Sequence, residues 1–216
     1  LKLNTKIFCD IAELDKIKKF NKKKIVKGFT TNPSLMRKAG AKDYKSYSKK
    51  ILKVCNKKPV SLEVFADEYF SMKKQALEIN TWGKNVYVKI PVTNSKGVFM
   101  GKIIKELNNY NVKLNITAVY NAKQTSRIIK SINKRSKVII SIFAGRAGDT
   151  GKDPVPEFKK SIAMVKKYKN VGLVSPTYTT GSRLIALRDS TKNNQIIAKK
   201  FGDYPSGVAY CLSNKF

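Results

Sequence analysis

The chain has 216 residues, 42% of them apolar, which is enough for one core and for one large domain or two small ones. No run approaches the ~18 apolar residues of a membrane-spanning helix, and there is no histidine, so acid–base chemistry falls to carboxylates, lysine, tyrosine or water. The formal charge is +31, yet six arginines stand against 39 lysines spread along the whole chain; phosphate and nucleic-acid grips favour arginine forks, so the charge reads as solvated helix faces and no nucleic-acid partner is expected.

The N-terminal residues Leu1 to Lys6 lead directly into a strand-like segment and lack the pattern of a signal peptide. Cys9, Cys55 and Cys211 are scattered, which suits a reducing cytoplasmic setting better than a disulfide framework, and their spacing offers no metal site. Ile7 to Ile11 alternates, with Phe8 and Asp10 on one face, and a helix is predicted from about Glu13 to Lys24 through Leu14, Ile17 and Phe20. A second strand begins at Val26 and reaches Thr31. Asn32 then reads as a helix N-cap, because Pro33 suits a first helical position. A long polar helix, broken near Gly40, extends to about Asn56. In the next strand, Val60 to Phe65, the residues Ser61, Glu63 and Phe65 share one face. After a helix ending near Asn80 comes Val86 to Thr93, with Val86, Val88, Ile90 and Val92 on one side and Tyr87, Lys89 and Pro91 on the other. Pro91 cannot donate to a ladder, so pairing is expected to fade just past the lysine.

A helix is predicted from Gly97 to Tyr110, with Ile103, Ile104 and Leu107 as its stripe. Lys113 to Val119 alternates again, placing Asn115 and Thr117 together. A helix from about Ala122 to Asn133 leads to Val138 to Phe143, where Ile139, Ser141 and Phe143 share a face. Gly145 to Pro156 reads as a loop, Glu157 to Tyr168 as a helix, and Val171 to Ser175 as a short apolar strand.

Strands and helices therefore alternate roughly every 25 to 30 residues, the pattern of repeated βα units on a parallel sheet. The chain reads as a single-domain (β/α)8 barrel with an atypical or incomplete C-terminal part after about residue 175. A doubly wound open sheet is the alternative, but its strands are usually apolar on both faces. Here Asp10, Glu63, Lys89, Asn115, Thr117 and Ser141 each sit late in a strand, opposite aliphatics. In a closed barrel they converge on one point at the end that carries chemistry.

A lysine in a dry barrel loses its charge readily, and a neutral amine is a nucleophile. Lys89 can attack a ketone and form an imine, an electron sink for breaking a neighbouring carbon–carbon bond. Glu63 and Asp10 are the available acid and base and can hold a water between them. Asn32, Asn115 and Thr117 can bind substrate hydroxyls. Arg146, at the rim near Ser141, can grip a phosphate. Each has a plainer reading: Asn32 as a cap, Asp10 as an ion-pair partner of Lys89, Asn115 and Thr117 as barrel filling, and Arg146 as a surface arginine.

Four stretches resemble the transaldolase family, in its small single-barrel branch that includes fructose-6-phosphate aldolases. They are Gly28-Phe29-Thr30-Thr31-Asn32-Pro33-Ser34-Leu35, Val88-Lys89-Ile90-Pro91-Val92-Thr93, Asn115-Ile116-Thr117-Ala118-Val119-Tyr120 and Ser141-Ile142-Phe143-Ala144-Gly145-Arg146. The resemblance implies Lys89 as the Schiff-base nucleophile, Glu63 and Asp10 as the acid–base pair, and Thr117 as holder of the catalytic water. It implies Asn32 and Asn115 on substrate hydroxyls, Phe143 beside the substrate, and Ser141 with Arg146 on its phosphate. No metal or cofactor is implied. The implied reaction moves a dihydroxyacetone unit between sugar phosphates of the pentose phosphate pathway, from sedoheptulose 7-phosphate to glyceraldehyde 3-phosphate, and a homo-oligomer is compatible with it. Glu63 with Phe143 resembles the transferases; the aldolase branch typically has Gln and Tyr there. Fructose-6-phosphate aldolase activity and a basic nucleic-acid-binding role are the competing readings.

From Ser175 onward the likeness stops. Arg183 is the candidate for a second phosphate arginine, Ser190 to Gln195 is polar without periodicity, and Val208 to Leu212 reads as a last strand. So abrupt a change of character points to a shifted reading frame.

Overall fold

The computed structural model describes residues 6–177 and 208–211. Seven parallel strands follow one another around a barrel: β1 (Lys6–Asp10), β2 (Val26–Thr30), β3 (Val60–Glu63), β4 (Val86–Pro91), β5 (Leu114–Val119), β6 (Val138–Ile142) and β7 (Val171–Thr177). An eighth strand, β8 (Val208–Cys211), closes the ring between β7 and β1, antiparallel to both. This is where the C-terminal part departs from eightfold βα repetition. Val208 pairs with Thr177 and Cys211 with Val174, so the chain re-enters the sheet at the end where β7 left it. Closure leaves no open sheet edge. The polar run Ser190 to Gln195 and Arg183 lie outside the described residues.

The helices are α1 (Leu14–Asn21), α2 (Pro33–Lys38), α3 (Tyr44–Val54), α4 (Tyr69–Asn80), α5 (Gly101–Asn109), α6 (Ala122–Ser131), α7 (Ala144–Asp149) and α8 (Val155–Val165). Among the described residues no helix is long and apolar enough to cross a membrane. Asn32 caps α2 as expected, its side-chain oxygen accepting from the Leu35 amide at 2.8 Å with Pro33 in the first turn. The polar helix does break at Gly40, whose φ of +84° suits glycine. Several boundaries differ from the sequence reading: α1 ends at Asn21 and not near Lys24, β3 ends at Glu63 and not Phe65, and α8 runs from Val155 to Val165 and not from Glu157 to Tyr168. Helix α5 starts at Gly101, not Gly97, because a turn closed by the Asn94 side chain on the Val98 amide and a Thr93–Phe99 bridge occupy the preceding residues. The segment read as a loop from Gly145 instead begins with the short helix α7.

Period-2 alternation sorts the strands into two layers. Outward residues such as Val60, Leu62, Val86, Val88, Ile90, Leu114, Ile116, Val138 and Ile140 are fully buried against helix residues including Ile17, Ile51, Ile79, Ile103 and Leu107. Each such aliphatic stabilises the fold by about 1.5–3 kcal/mol relative to exposure. Phe8, Tyr87, Ile139 and Val174 form a separate small cluster from β1, β4, β6 and β7. They lie nearer the strand starts than the polar residues of the same face and floor the lumen. Gly28 makes room for this layer: a Cβ there would stand 2.3 Å from Cε1 of Phe8.

Candidate active site

Lys89 and Glu63 are register partners on β4 and β3. Their side chains meet with Nζ 3.1 Å from Oε2, and the lysine is 6% exposed. The same nitrogen donates to the Thr31 carbonyl at 3.3 Å. Thr31 follows β2, so this bond skips β3 and reaches across the lumen. Tyr44, on α3, donates from its hydroxyl to the Glu63 carbonyl at 2.8 Å and pins the end of β3. The amine is thus held by one carboxylate and one carbonyl in a place that excludes most water.

Asp10, at the end of β1, is 1% exposed. Thr30, its register partner on β2, donates to Asp10 Oδ1 at 2.5 Å. Burial pushes the Asp10 carboxyl up to about 6; the Lys89 charge and the Thr30 hydroxyl pull it back, while the Glu63 carboxylate pushes it further up. One carboxyl whose pKa burial raises, beside another that pairs an amine, is a disposition suited to acid–base work.

Asn115, the register partner of Lys89 on β5, donates from Nδ2 to Ser61 Oγ at 2.9 Å, and Ser141 donates to Asn115 Oδ1 at 2.8 Å. All three are buried. The chain of bonds runs from β3 past β4 to β5 and on to β6. Asn115 keeps one amide hydrogen and one lone pair for other partners. Thr117, two residues further along β5, has a buried hydroxyl without a hydrogen-bond partner. Immediately after it the ladder to β6 is irregular, and Ala118 takes a φ of +58°. A non-glycine residue in that conformation is strained. The bulge interrupts the β5–β6 pairing where the orphan hydroxyl sits, and pairing resumes at Val119 with Ile142.

Three other expected residues stand at the rim. Asn32 spends a side-chain lone pair on its cap. Phe143 precedes α7, half-buried, with its ring edge-on to Tyr120 at 6.0 Å. Arg146 is exposed on α7 and, among the described residues, has no hydrogen-bond or ion-pair partner. The structure therefore brings Asp10, Glu63 and Lys89 together electrostatically, links Asn115 to Ser141, and leaves Asn32, Phe143 and Arg146 around the same end. The sequence reading assigned no role to Thr30, Thr31, Ser61 or Tyr44. Thr30 was accessible from alternation, since it shares a face with Gly28. The carbonyl of Thr31 carries no sequence signal. Among the described residues no group of three His, Cys, Asp or Glu side chains is placed to hold a metal ion.

The family model described as Transaldolase/Fructose-6-phosphate aldolase matches residues 7–202, past Ser175, where the likeness read from the motifs ended. A "Probable transaldolase" of Dehalococcoides mccartyi is 35% identical over 163 residues, covering 76% of this chain and 72% of the relative. One of Methanococcus maripaludis is 38% identical over 148 residues, 68% of this chain and 64% of the relative. One of Clostridium kluyveri is 34% identical over 161 residues, 74% and 70% respectively. Among solved structures, a dihydrodipicolinate synthase of Rhodopseudomonas palustris superimposes with a TM-score of 0.57 at 13% identity, covering 91% of this chain and 78% of that one. At that identity the likeness concerns the fold alone.

Proposed function

The chain belongs to the transaldolase and fructose-6-phosphate aldolase family, and from that premise we propose that it is a Schiff-base transaldolase transferring a dihydroxyacetone unit between sugar phosphates. The observation that carries the reading is the Lys89 amine, buried at 6% exposure and 3.1 Å from Glu63, in the same enclosed space as a carboxyl raised to about 6.

In this reading Lys89 Nζ, once it has shed a proton, adds to the ketone carbon of fructose 6-phosphate or sedoheptulose 7-phosphate. The carbinolamine loses water and becomes a protonated imine. Asp10 takes the proton from the hydroxyl beside the bond to be broken. That bond's electron pair flows into the imine, an aldose phosphate leaves, and an enamine of dihydroxyacetone remains on Lys89. The enamine carbon then attacks the acceptor aldehyde, the new alkoxide takes the proton back from Asp10, and water hydrolyses the imine. Glu63 handles protons in imine formation and hydrolysis through a water that the unpartnered Thr117 hydroxyl can hold. Asn32 and Asn115 bind substrate hydroxyls, Phe143 lines the substrate, and Ser141 with Arg146 receives the phosphate. Glu63 and Phe143 favour transfer to an aldehyde over release of free dihydroxyacetone. No cofactor enters this chemistry.

Incubation with fructose 6-phosphate and borohydride, followed by peptide mass spectrometry, tests the reading. A reduced three-carbon adduct on Lys89 is expected. An adduct elsewhere, or none on folded protein, overturns it. Coupled assays with and without an acceptor aldehyde separate transferase from aldolase, and an acceptor-independent rate equal to the transfer rate would favour the aldolase.

A further inference from the structure

Glu63 is paired within the sheet on one side only. Its register partner on β4 is Lys89, whereas pairing between β2 and β3 stops earlier, at Thr30 with Ser61. The amides that β2 offers to β3 come at every second residue. The Phe29 amide donates to the Pro59 carbonyl at 2.9 Å, and the Thr31 amide donates to the Ser61 carbonyl at 3.1 Å. The next donor in that series falls on Pro33, which has no N–H. The ladder therefore cannot serve the Glu63 carbonyl from the β2 side.

A side chain takes the missing place. The Tyr44 hydroxyl, on α3, donates to the Glu63 carbonyl at 2.8 Å. The other end of the same peptide unit, the Val64 amide, donates to the Lys89 carbonyl at 3.0 Å. The peptide after Glu63 is thus held by α3 at one end and by the lysine's own strand at the other. A peptide held at both ends fixes the Cα–Cβ direction of Glu63. That direction sets where the carboxylate stands against Lys89 Nζ, 3.1 Å away.

The aim of the tyrosine is itself built in. Asp43 caps α3, its side chain accepting from the Ser46 amide at 2.7 Å, so Tyr44 opens the helix. The Tyr44 ring stands edge-on to Phe65 at 5.5 Å and to Trp82 at 5.8 Å. Burial and the nearby Glu63 carboxylate push the hydroxyl well above the usual tyrosine range, so it keeps its proton at neutral pH.

We propose that Tyr44 is a positioning residue for Glu63: its hydroxyl replaces the amide that Pro33 cannot offer and so holds the carboxylate beside the Lys89 amine. The role rests on the Schiff-base reading, in which Glu63 moves protons during imine formation and hydrolysis. Tyr44 acts through Glu63 and not on the substrate.

Tyr44→Phe removes the donor and keeps the ring. Its kcat for transfer should fall roughly ten- to hundredfold, with the donor KM within about threefold of the parent. Borohydride trapping of Lys89 with fructose 6-phosphate, sampled at short times, should slow in step. In a Glu63→Gln background the same change should cost no more than about twofold, because the group it positions is already gone. Incorporating 4-aminophenylalanine at position 44 restores a donor on the ring and should recover most of the rate. Tyr69→Phe removes a hydroxyl that bonds Glu106 between α4 and α5, and should leave kcat within about twofold of the parent. Circular dichroism and melting curves follow every variant. A hydroxyl that serves the fold alone lowers the melting temperature and leaves kcat as it was, which overturns the proposal. So do a loss confined to KM, equal losses in both Glu63 backgrounds, an aminophenylalanine chain as slow as Tyr44→Phe, an equal loss in Tyr69→Phe, or a Tyr44→Phe chain that does not fold. A parent that forms no adduct on Lys89 removes the Schiff-base reading and this role with it; a parent that traps while Tyr44→Phe keeps its rate removes the role alone.

Discussion

Glu63 and Lys89 sit side by side on adjacent strands and form an ion pair shielded by the barrel, 3.1 Å apart. Pairs such as Lys16–Glu13, Lys45–Glu78 and Lys96–Glu68 lie at the surface, where they contribute little. Two residues that a strand register forces together need no flexible side chain to find each other. The pair is therefore ready before substrate arrives, and the proposed chemistry draws its precision from the sheet.

Lys89→Met removes the nucleophile while keeping length and apolar volume. Transfer should fall by on the order of a thousandfold or more, and borohydride trapping should disappear. Steady-state kinetics and mass spectrometry read the two effects. Residual trapping on another lysine would show that the amine had been misassigned.

Glu63→Gln keeps a hydrogen-bond acceptor beside Lys89 and removes the base. The expected loss is roughly 10²–10⁴ in kcat, with the donor KM changed much less. A loss confined to KM would make Glu63 a binding group instead.

Asp10→Asn should separate stability from activity. The folded pKa of about 6 lies above the ordinary value, so the folded chain holds that proton more tightly than the unfolded chain does. Its contribution therefore makes stability fall as pH rises from about 4 to about 6, by up to about 3 kcal/mol. The amide removes this slope. Urea unfolding should show the variant gaining on the parent between pH values of about 4 and 7, while its transfer activity drops. A variant that loses ground over that interval would contradict the burial argument.

Thr117→Val exchanges a partnerless buried hydroxyl for a methyl group. With no internal bond to lose, stability should hold or rise by up to about 1 kcal/mol. Activity should fall, and Thr117→Ser should restore most of it. Parallel melting curves and rates for the two variants test this, and an active Thr117→Val enzyme would remove the hydroxyl from the mechanism.

Ala118→Gly addresses the bulge. Glycine takes a φ of +58° without steric cost. Stability should rise by up to about 1 kcal/mol, less the added freedom of the unfolded chain. Chemical denaturation measures the difference, and a clear destabilisation would mean that the alanine methyl makes contacts worth more than the strain.

Much of this architecture was legible in the residue order. Two-residue alternation placed Asp10, Glu63, Lys89, Asn115, Thr117 and Ser141 on the face opposite the aliphatics, and the barrel has them there. Asn32 and Pro33 announced the start of α2. These are local properties: a strand's pleat decides which face a side chain takes, and a cap needs only its own turn. What one chamber residue bonds to another was decided by barrel closure. The carbonyl of Thr31 near Lys89, the Thr30 hydroxyl on Asp10, and the Ser61–Asn115–Ser141 chain depend on how strands stagger around a ring. No single segment encodes that. The antiparallel β8 belongs to the same class, because sequence separation says nothing about which ends a closed sheet brings together.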